Sequence, residues 1–474
     1  MRLAKNTGYF VLLLLCIGIV LSGCVSKTDA QATTPTSQPA QSAAQPTSAA
    51  TTSSTTNDGK MTAAGAILSQ AAGASTSVKV QVPQSMRTGP FAQDRSLNVP
   101  PKFAIAVYTR IPNARFMAVT PNGNLLVSVP GDGKIMLVQS VQGGDPRVSE
   151  FATGLRKPHD IVFHTIDNTT YMYVSEANQI DRYVYHAGDT QAQDRKVVVS
   201  GLPDSSLPEL HGAYGHELKN IALDSNHKLY VAIGSTCNAC VSDTTSNPLR
   251  GAIYQYNADG SAGRLYARGL RNAEGLAFVP GTNELWVAVN NRDNIAYPHQ
   301  DATGQYGKVI PAYVNNHPPE EFTHVRDGGN YGWPFCNPNP DQSVDTMPFD
   351  RDVQFNADGH VDCSKMDRID KGIQAHSAPL GLSFIQDAKT AQVGALIGLH
   401  GSWNRTTPTG YKIIYFPWNA QTKLPGKQVD LVTGWLDNGG QYWGRPVDSV
   451  VDQQGNILIS DDGSGTVYKL SYQQ

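Results

Sequence analysis

Three short stretches carry side chains that could do chemistry together. Tyr214-Gly-His216-Glu-Leu-Lys-Asn220 places a histidine directly before an apolar run. With an ordinary pKa of about 6.5, a histidine there suits a general base. Leu270-Arg271-Asn272 and Trp443-Gly-Arg445-Pro446 put arginines at matching points before two further apolar runs. An arginine fork suits a carboxylate, a phosphate or a developing oxyanion. A lone arginine is usually a surface residue worth little energetically. Two at equivalent positions, with a histidine at a third, describe a cationic pocket with a base at its edge.

A repeat is what could bring these stretches together. Six times, from about residue 114 onward, a short apolar strand is followed by a turn with Pro, Asp, Asn or Gly and a second apolar strand. The copies begin at Ala114, Asp160, Lys219, Glu274, Leu380 and Val447. Each reads as a hairpin, and most are followed by a third apolar or aromatic run. Strand, turn, strand, strand is the pattern of a propeller blade. The expected fold is therefore all-β, a six-bladed β-propeller with long inter-strand loops. The surplus length falls in residues 292–330 and 335–376, expected on one face around the channel, where function concentrates. His216, Arg271 and Arg445 each precede the first strand of a copy, so they should ring one end of the channel. Strands do not alternate with amphipathic helices, which argues against a doubly wound sheet.

Charge narrows the function. Lys and Arg number 37 against 40 Asp and Glu, a net charge of −3, without the basic excess of a nucleic-acid binder. The N-terminus reads as targeting. Arg2 and Lys5 precede an apolar run over residues 10–21, too short for a bilayer span of about 20 residues. Leu21-Ser22-Gly23-Cys24 matches a bacterial lipobox, so residues 1–23 are expected to be a lipoprotein signal peptide and Cys24 the lipidated N-terminus. Val25 in place of Asp favours the outer membrane, and the lipid is the only membrane contact expected. Residues 25–60, dominated by Ser, Thr, Ala, Gln and Pro, cannot bury enough apolar surface to offset their ordering entropy. Residues 24–90 are read as a disordered tether, in which 61–74 could form a weak helix, and residues 91–474 as the propeller. Cys16 leaves with the signal. Cys237, Cys240, Cys336 and Cys363 remain, an even number suited to two disulfides in an exported protein. The CxxC at Cys237 and Cys240 reads as a small disulfide-closed loop. Zinc would need two more soft ligands, and a thioredoxin-type site needs a βαβ context that the flanks lack.

The propeller region resembles the soluble quinoprotein sugar dehydrogenases, the glucose/sorbosone dehydrogenase family. The resemblance rests on GHELKNIALDSNHKLYVAIGSTCNAC, GLRNAEGLAF, HPPEEF, GGNYGWPFC, AHSAPLGLSF, LHGSWNRTTPTGYKIIYF and GRPVDSVVDQQGNILISDDGSGTVYKLSY, in that order. The SxCNxC and HGSWNR segments bring it nearer the sorbosone-type and aldose dehydrogenase-like members. It implies pyrroloquinoline quinone (PQQ) at the channel mouth, with calcium. His216 would take the proton of the anomeric hydroxyl while hydride passes from sugar C1 to the quinone. Arg271 would stabilise the reduced quinone oxygen, beside Asn272, and Arg445 would meet a cofactor carboxylate. Val447 stands where the soluble glucose enzyme has a second arginine. His400 and Arg405 are implied as cofactor contacts. His159 could line the same pocket, or serve packing alone. Backbone carbonyls at Asn290 and Asn291 would hold the cofactor calcium, and Glu320 or Glu321 a second calcium. The resemblance also pairs Cys336 with Cys363. Two departures stand out. Ser235 occupies the place of the acid that orients the base, so the partner of His216 is left open. Glu274 falls near the anionic cofactor and needs a calcium or arginine partner. The implied activity is PQQ- and calcium-dependent oxidation of aldose sugars or sugar aldehydes, with electrons passed to an external acceptor. The alternative is a non-catalytic sugar-binding or scaffold propeller. A metal-dependent lactonase would need Asp, Glu and Asn at blade starts, where His and Arg stand.

Overall fold

Strands covered on both faces read as unbroken apolar runs, and Leu125–Val129 and Leu285–Val289 are buried at every position. In the computed structural model, which describes residues 61–69, 74–387 and 390–473, such runs form six antiparallel blades of four principal strands. The innermost strands are Met117–Val119, Ile161–Ile166, Ile221–Leu223, Ala273–Phe278, Pro379–Gln386 and Pro446–Val451. Each touches the innermost strand of the next blade, and the sixth touches the first, so the ring closes. The fold is the expected six-bladed β-propeller, and the six hairpins read from the sequence are the two inner strands of its blades.

No blade has a core of its own. The buried apolar residues fall into wedges between neighbours: Trp286 and Phe322 of blade 4 meet Phe384 and Phe416 of blade 5, and Leu458 and Val467 of blade 6 meet Leu125 and Val127 of blade 1. The outermost strand of blade 6 comes from the other end of the sequence. Phe103–Arg110 pairs antiparallel with Thr466–Tyr472, Phe103 opposite Tyr472 and Arg110 opposite Thr466. This strand was not among the expected elements, although its strict alternation of buried and half-buried residues is the mark of a strand with one covered face.

Two expectations need correction. The signal peptide, Cys24 and the tether up to residue 60 lie outside the described residues. From residue 61, however, the described residues of the segment assigned to the tether are folded. Helix Ala63–Ser69 buries Ala63, Ala64, Ala66 and Ile67 in the wedge between blades 5 and 6, and Ala64 N donates to Gly455 O at 3.0 Å. Thr76–Lys79 pairs with Ser96–Val99. Small residues, not large ones, make this contact, which is why composition did not reveal it. The long loops also differ in origin. Residues 290–319 join the second and third strands of blade 4, but residues 325–370 leave its third strand at the opposite end. They climb back beside the outer strand of blade 3, with Gly328 N to Tyr266 O at 2.7 Å and Tyr331 N to Arg268 O at 3.0 Å. Cys336–Cys363 bridges this excursion, and Cys237–Cys240 is bonded as expected.

Ile105 in the closing strand is fully buried. Ile105→Ala should cost about 2–5 kcal/mol, read as a lower midpoint in thermal or urea unfolding; an unchanged midpoint would mean that the closing strand does not hold the ring.

Candidate functional site

Consecutive strands of a blade alternate in direction. The loops entering the innermost strands and the loops joining second to third strands therefore share one end of the propeller. His159, His216, Arg271 and Arg445 lie in the first set; Cys237, Cys240, Asn290, Asn291, His400 and Arg405 lie in the second. The sequence-predicted residues are thus gathered at one end of the channel.

His216 is the best defined of them. Its Nδ1 lies 2.8 Å from Ser235 O and 2.9 Å from Ser235 Oγ. A carbonyl only accepts, so Nδ1 carries the proton, and Nε2 presents its lone pair without a hydrogen bond among the described residues. Ser235, the residue that replaces the expected acid, is therefore the orienter. Burial, and then the Arg271 charge, hold the His216 pKa down at about 4.

Arg271 is buried and held from two loops. Its Nε donates to Asn238 O at 3.1 Å, one Nη to Asn238 Oδ1 at 3.2 Å and the other to Asn290 O at 3.4 Å. Asp293 Oδ2 lies 3.5 Å away. Asp293 also meets His376 Nδ1 at 3.2 Å and Asn404 Nδ2 at 3.4 Å. Burial raises the Asp293 pKa, but His376 and Arg271 outweigh it and leave the carboxylate low.

Glu274 has the partner that an anionic site requires, and it is neither calcium nor arginine. His159 Nε2 lies 3.1 Å from Oε2, and Asn272 Nδ2 donates to Oε1 at 3.0 Å. Burial pushes the Glu274 carboxyl up, yet His159, then the Arg115 charge and the Asn272 bond, bring it to about 2. His159 is fully buried against Phe116, at 4.3 Å between ring centroids. It supports the site from beneath and does not line an open pocket. Because a carboxylate cannot donate, the Asn272 amide must turn its nitrogen to Glu274, and its oxygen accepts no hydrogen bond among the described residues.

Arg445 spends only Nε on the protein, donating to His400 O at 3.1 Å. Its guanidinium lies 5.9 Å from the Tyr411 ring and 5.6 Å from the Tyr442 ring. Its terminal nitrogens make no hydrogen bond among the described residues. The His400 ring faces Asp462 at 2.7 Å, which also pairs with Arg115 at 2.8 Å, so only the His400 backbone reaches Arg445. Arg405 donates from Nε to Thr407 O and from one terminal nitrogen to the carbonyls of Asn315 and Ala375, which pins its own loop; its other terminal nitrogen makes no hydrogen bond among the described residues.

The residues of the two expected calcium sites, the Asn290 and Asn291 carbonyls and Glu320 or Glu321, regroup. Asn290 turns its carbonyl to Arg271 and its Nδ2 to Pro379 O at 2.6 Å. Asn291 instead joins the two acids: its N donates to Glu320 Oε2 at 2.6 Å and its Nδ2 to Glu321 Oε1 at 2.8 Å. Burial pushes Glu320 up to about 7, and burial with the Glu320 charge pushes Glu321 well above the carboxylate range. Glu321 Oε2 is buried without a partner. Among the described residues no group of three or more His, Cys, Asp or Glu is arranged around a metal position. Asn291 meets the acids through its nitrogens while its Oδ1 accepts from Arg292 N at 2.9 Å, and Glu320 Oε1 accepts from Ala378 N at 3.0 Å, so the unsatisfied Glu321 Oε2 is the atom of this set that suits oxygen-seeking calcium.

Sequence reasoning missed Asn238, Asp293, His376 and Asn404, which sit on loops without periodicity. Asn238 lay inside the CxxC, His376 in AHSAPLGLSF and Asn404 in HGSWNR; Asp293 had no local signal. In the apo protein the His216 imidazole should titrate with a midpoint of about 4, staying neutral and basic at every higher pH. Histidine chemical shifts followed against pH check this, and a midpoint above the ordinary value of about 6.5 would contradict the buried, cation-flanked geometry.

The TrAA12-like family model matches residues 103–473. The chain is 25% identical over 325 residues to a pyrroloquinoline quinone-dependent pyranose dehydrogenase of Coprinopsis cinerea, covering 60% of this chain and 42% of that protein, so it spans under half of the relative's length. Among solved structures, the holo PQQ domain of Coprinopsis cinerea pyranose dehydrogenase superposes with a TM-score of 0.65 at 22% identity, over 79% of this chain and 96% of that one. The calcium structure of the Trichoderma reesei carbohydrate-active enzyme of family AA12 gives 0.63 at 21% identity, over 79% and 96%. These structural likenesses establish the fold. The family match runs from the ring-closing strand to the last strand of blade 6, and the chain belongs to the TrAA12-like family.

Proposed function

We propose that this protein is a PQQ-dependent dehydrogenase of aldose sugars or sugar aldehydes. The observation that carries the proposal is the set of unspent polar atoms at one channel mouth: His216 Nε2, Asn272 Oδ1 and the Arg445 fork, beside buried Arg271. A planar cofactor with three carboxylates fits such a set. Arg445 would take a carboxylate between its terminal nitrogens, Asn272 would offer an acceptor, and Arg271 would face developing negative charge. Bound PQQ would supply a two-electron acceptor for the hydride of sugar C1. His216 would accept the proton of the anomeric hydroxyl on Nε2 while Nδ1 stays on Ser235 O. Trp403 and Tyr442, 75% and 53% exposed at the same end, offer apolar faces to a sugar ring. Asn291, Glu320 and Glu321 are the proposed calcium ligands. Electrons would leave to an external acceptor. Cys24 would anchor the protein in the bacterial envelope by lipid, on the outer membrane.

Protein reconstituted with PQQ and calcium should reduce an artificial dye when aldoses are added. His216→Ala should abolish turnover yet still bind PQQ. Silence across hexoses, pentoses, disaccharides and sorbosone, with PQQ bound, would replace the proposal with a non-catalytic propeller. Calcium should raise the melting temperature of the wild type through preferential binding to the folded state. Glu321→Gln should lose that calcium-dependent rise, and an equal rise in both proteins would place calcium elsewhere.

A further inference from the structure

Resting on the reading of His216 as base and Arg271 as its cationic neighbour, we propose that the small loop closed by Cys237–Cys240 is a positioning element that holds these two residues in register. Its two arms reach one residue each. On the first arm, Ser235 O and Oγ hold His216 Nδ1, and Ser235 Oγ in turn donates to Cys237 O at 2.8 Å. On the second, Asn238 O and Oδ1 accept from the Arg271 guanidinium at 3.1 and 3.2 Å. The same Asn238 is locked to Asp293 in both directions, accepting from its N at 2.7 Å and donating to its O at 2.8 Å. Trp333 Nε1 also donates to Asn238 O, at 3.2 Å. Ser235 N donates to Arg271 O at 2.9 Å, which joins the two arms through the backbone.

The bridge closes this loop covalently, between two polar anchors: Thr236 N and Oγ1 donate to buried Asp243 at 2.7 and 2.8 Å, and Asp243 N donates to Cys240 O at 3.1 Å, while within the loop the side-chain hydrogen bonds are those of Asn238. Residues 237–240 are each only half-buried and insert no large apolar side chain into the core. A bridge across a sequence separation of 3 restricts the unfolded chain far less than the Cys336–Cys363 bridge across 27. Its effect is therefore local, and a staple for global stability would sit better on the longer loop.

The test uses the full chain with Cys237→Ser/Cys240→Ser, which leaves no odd thiol. In apo protein with isotope-labelled histidine, wild-type His216 should show a single tautomer protonated at Nδ1, assigned by its loss in His216→Ala. The double variant should populate the Nε2-protonated tautomer, keep a melting temperature close to wild type, and lose kcat by about 100-fold after reconstitution, the scale of a small misplacement of reacting groups. Asn238→Ala separates the arms: the His216 tautomer should persist while kcat falls about tenfold or more through loss of the acceptors of a charged donor. A double variant with the wild-type tautomer and turnover overturns the proposal. If that variant does not fold, wild-type turnover in Asn238→Ala overturns it. A wild type that never oxidises sugar sinks the functional reading alone, because the tautomer measurement needs neither cofactor nor substrate.

Discussion

Everything at the channel mouth depends on the pairing of Phe103–Arg110 with Thr466–Tyr472. Each apolar wedge belongs to two blades, so no blade is stable on its own surface and each needs both neighbours. The closing strand places Ile105 and Val107 in the wedge between blades 5 and 6 and sets Tyr108 against the wedge between blades 6 and 1. Joining residues so distant in sequence has a large loop-closure cost, recovered only when the whole ring has formed. Two buried acids repeat the same logic near the axis. Asp448 accepts from Ser449 N in its own blade and Met117 N in the next, at 2.8 and 3.0 Å, and Asp160 ties blade 2 to blade 3 through Ile161 N and Ile221 N at 2.9 and 3.0 Å. Burial pushes these carboxyls up to about 8 and about 7. They bind the inner strands together while adding little charge to the channel.

A ring closed in this way can bury charge at its mouth, because every partner is fixed by another blade of the ring. Glu274 of blade 4 finds His159 of blade 2; Asp462 of blade 6 finds His400 of blade 5 and Arg115 of blade 1. Burying an unpaired charge would cost several kcal/mol, so these pairs are the condition for placing ionisable groups there at all. Once they are made, three groups that make no hydrogen bond among the described residues remain at the mouth: a lone pair on His216, an acceptor on Asn272 and the terminal nitrogens of Arg445.

The sequence made legible what has a period or a sharp local signature. The six hairpins were visible because inner strands covered on both faces become runs such as LLVSV and LWVAV. His216, Arg271 and Arg445 were visible because they stand at the same offset from those runs. What stayed hidden depends on contacts distant in sequence. Phe103–Arg110 looks like any half-covered strand until its partner is known. Helix Ala63–Ser69 contributes mostly alanine, so composition placed it with the tether. Asp293 becomes significant only when Arg271, His376 and Asn404 arrive from other loops. Arg405 shows a role that its place in HGSWNR did not reveal: three backbone carbonyls take donors from Nε and one terminal nitrogen and pin the loop.

Ser235 changes how the base would work on the proposed reading. An acid beside Nδ1 would stabilise the imidazolium that forms on proton uptake. A carbonyl and a hydroxyl fix the tautomer as firmly but bring no full charge, and the Arg271 cation opposes protonation. His216 alone is consequently a weak base, far from the pKa match to operating pH that favours proton transfer. Glu274 and Asp293 supply part of the negative charge, and on the proposed reading the anion held by Arg271 and Arg445 would add to it by offsetting the cation that depresses His216. Cofactor binding and base strength become one event in this arrangement: the pocket that collects the anion also raises the affinity of Nε2 for the proton it has to take.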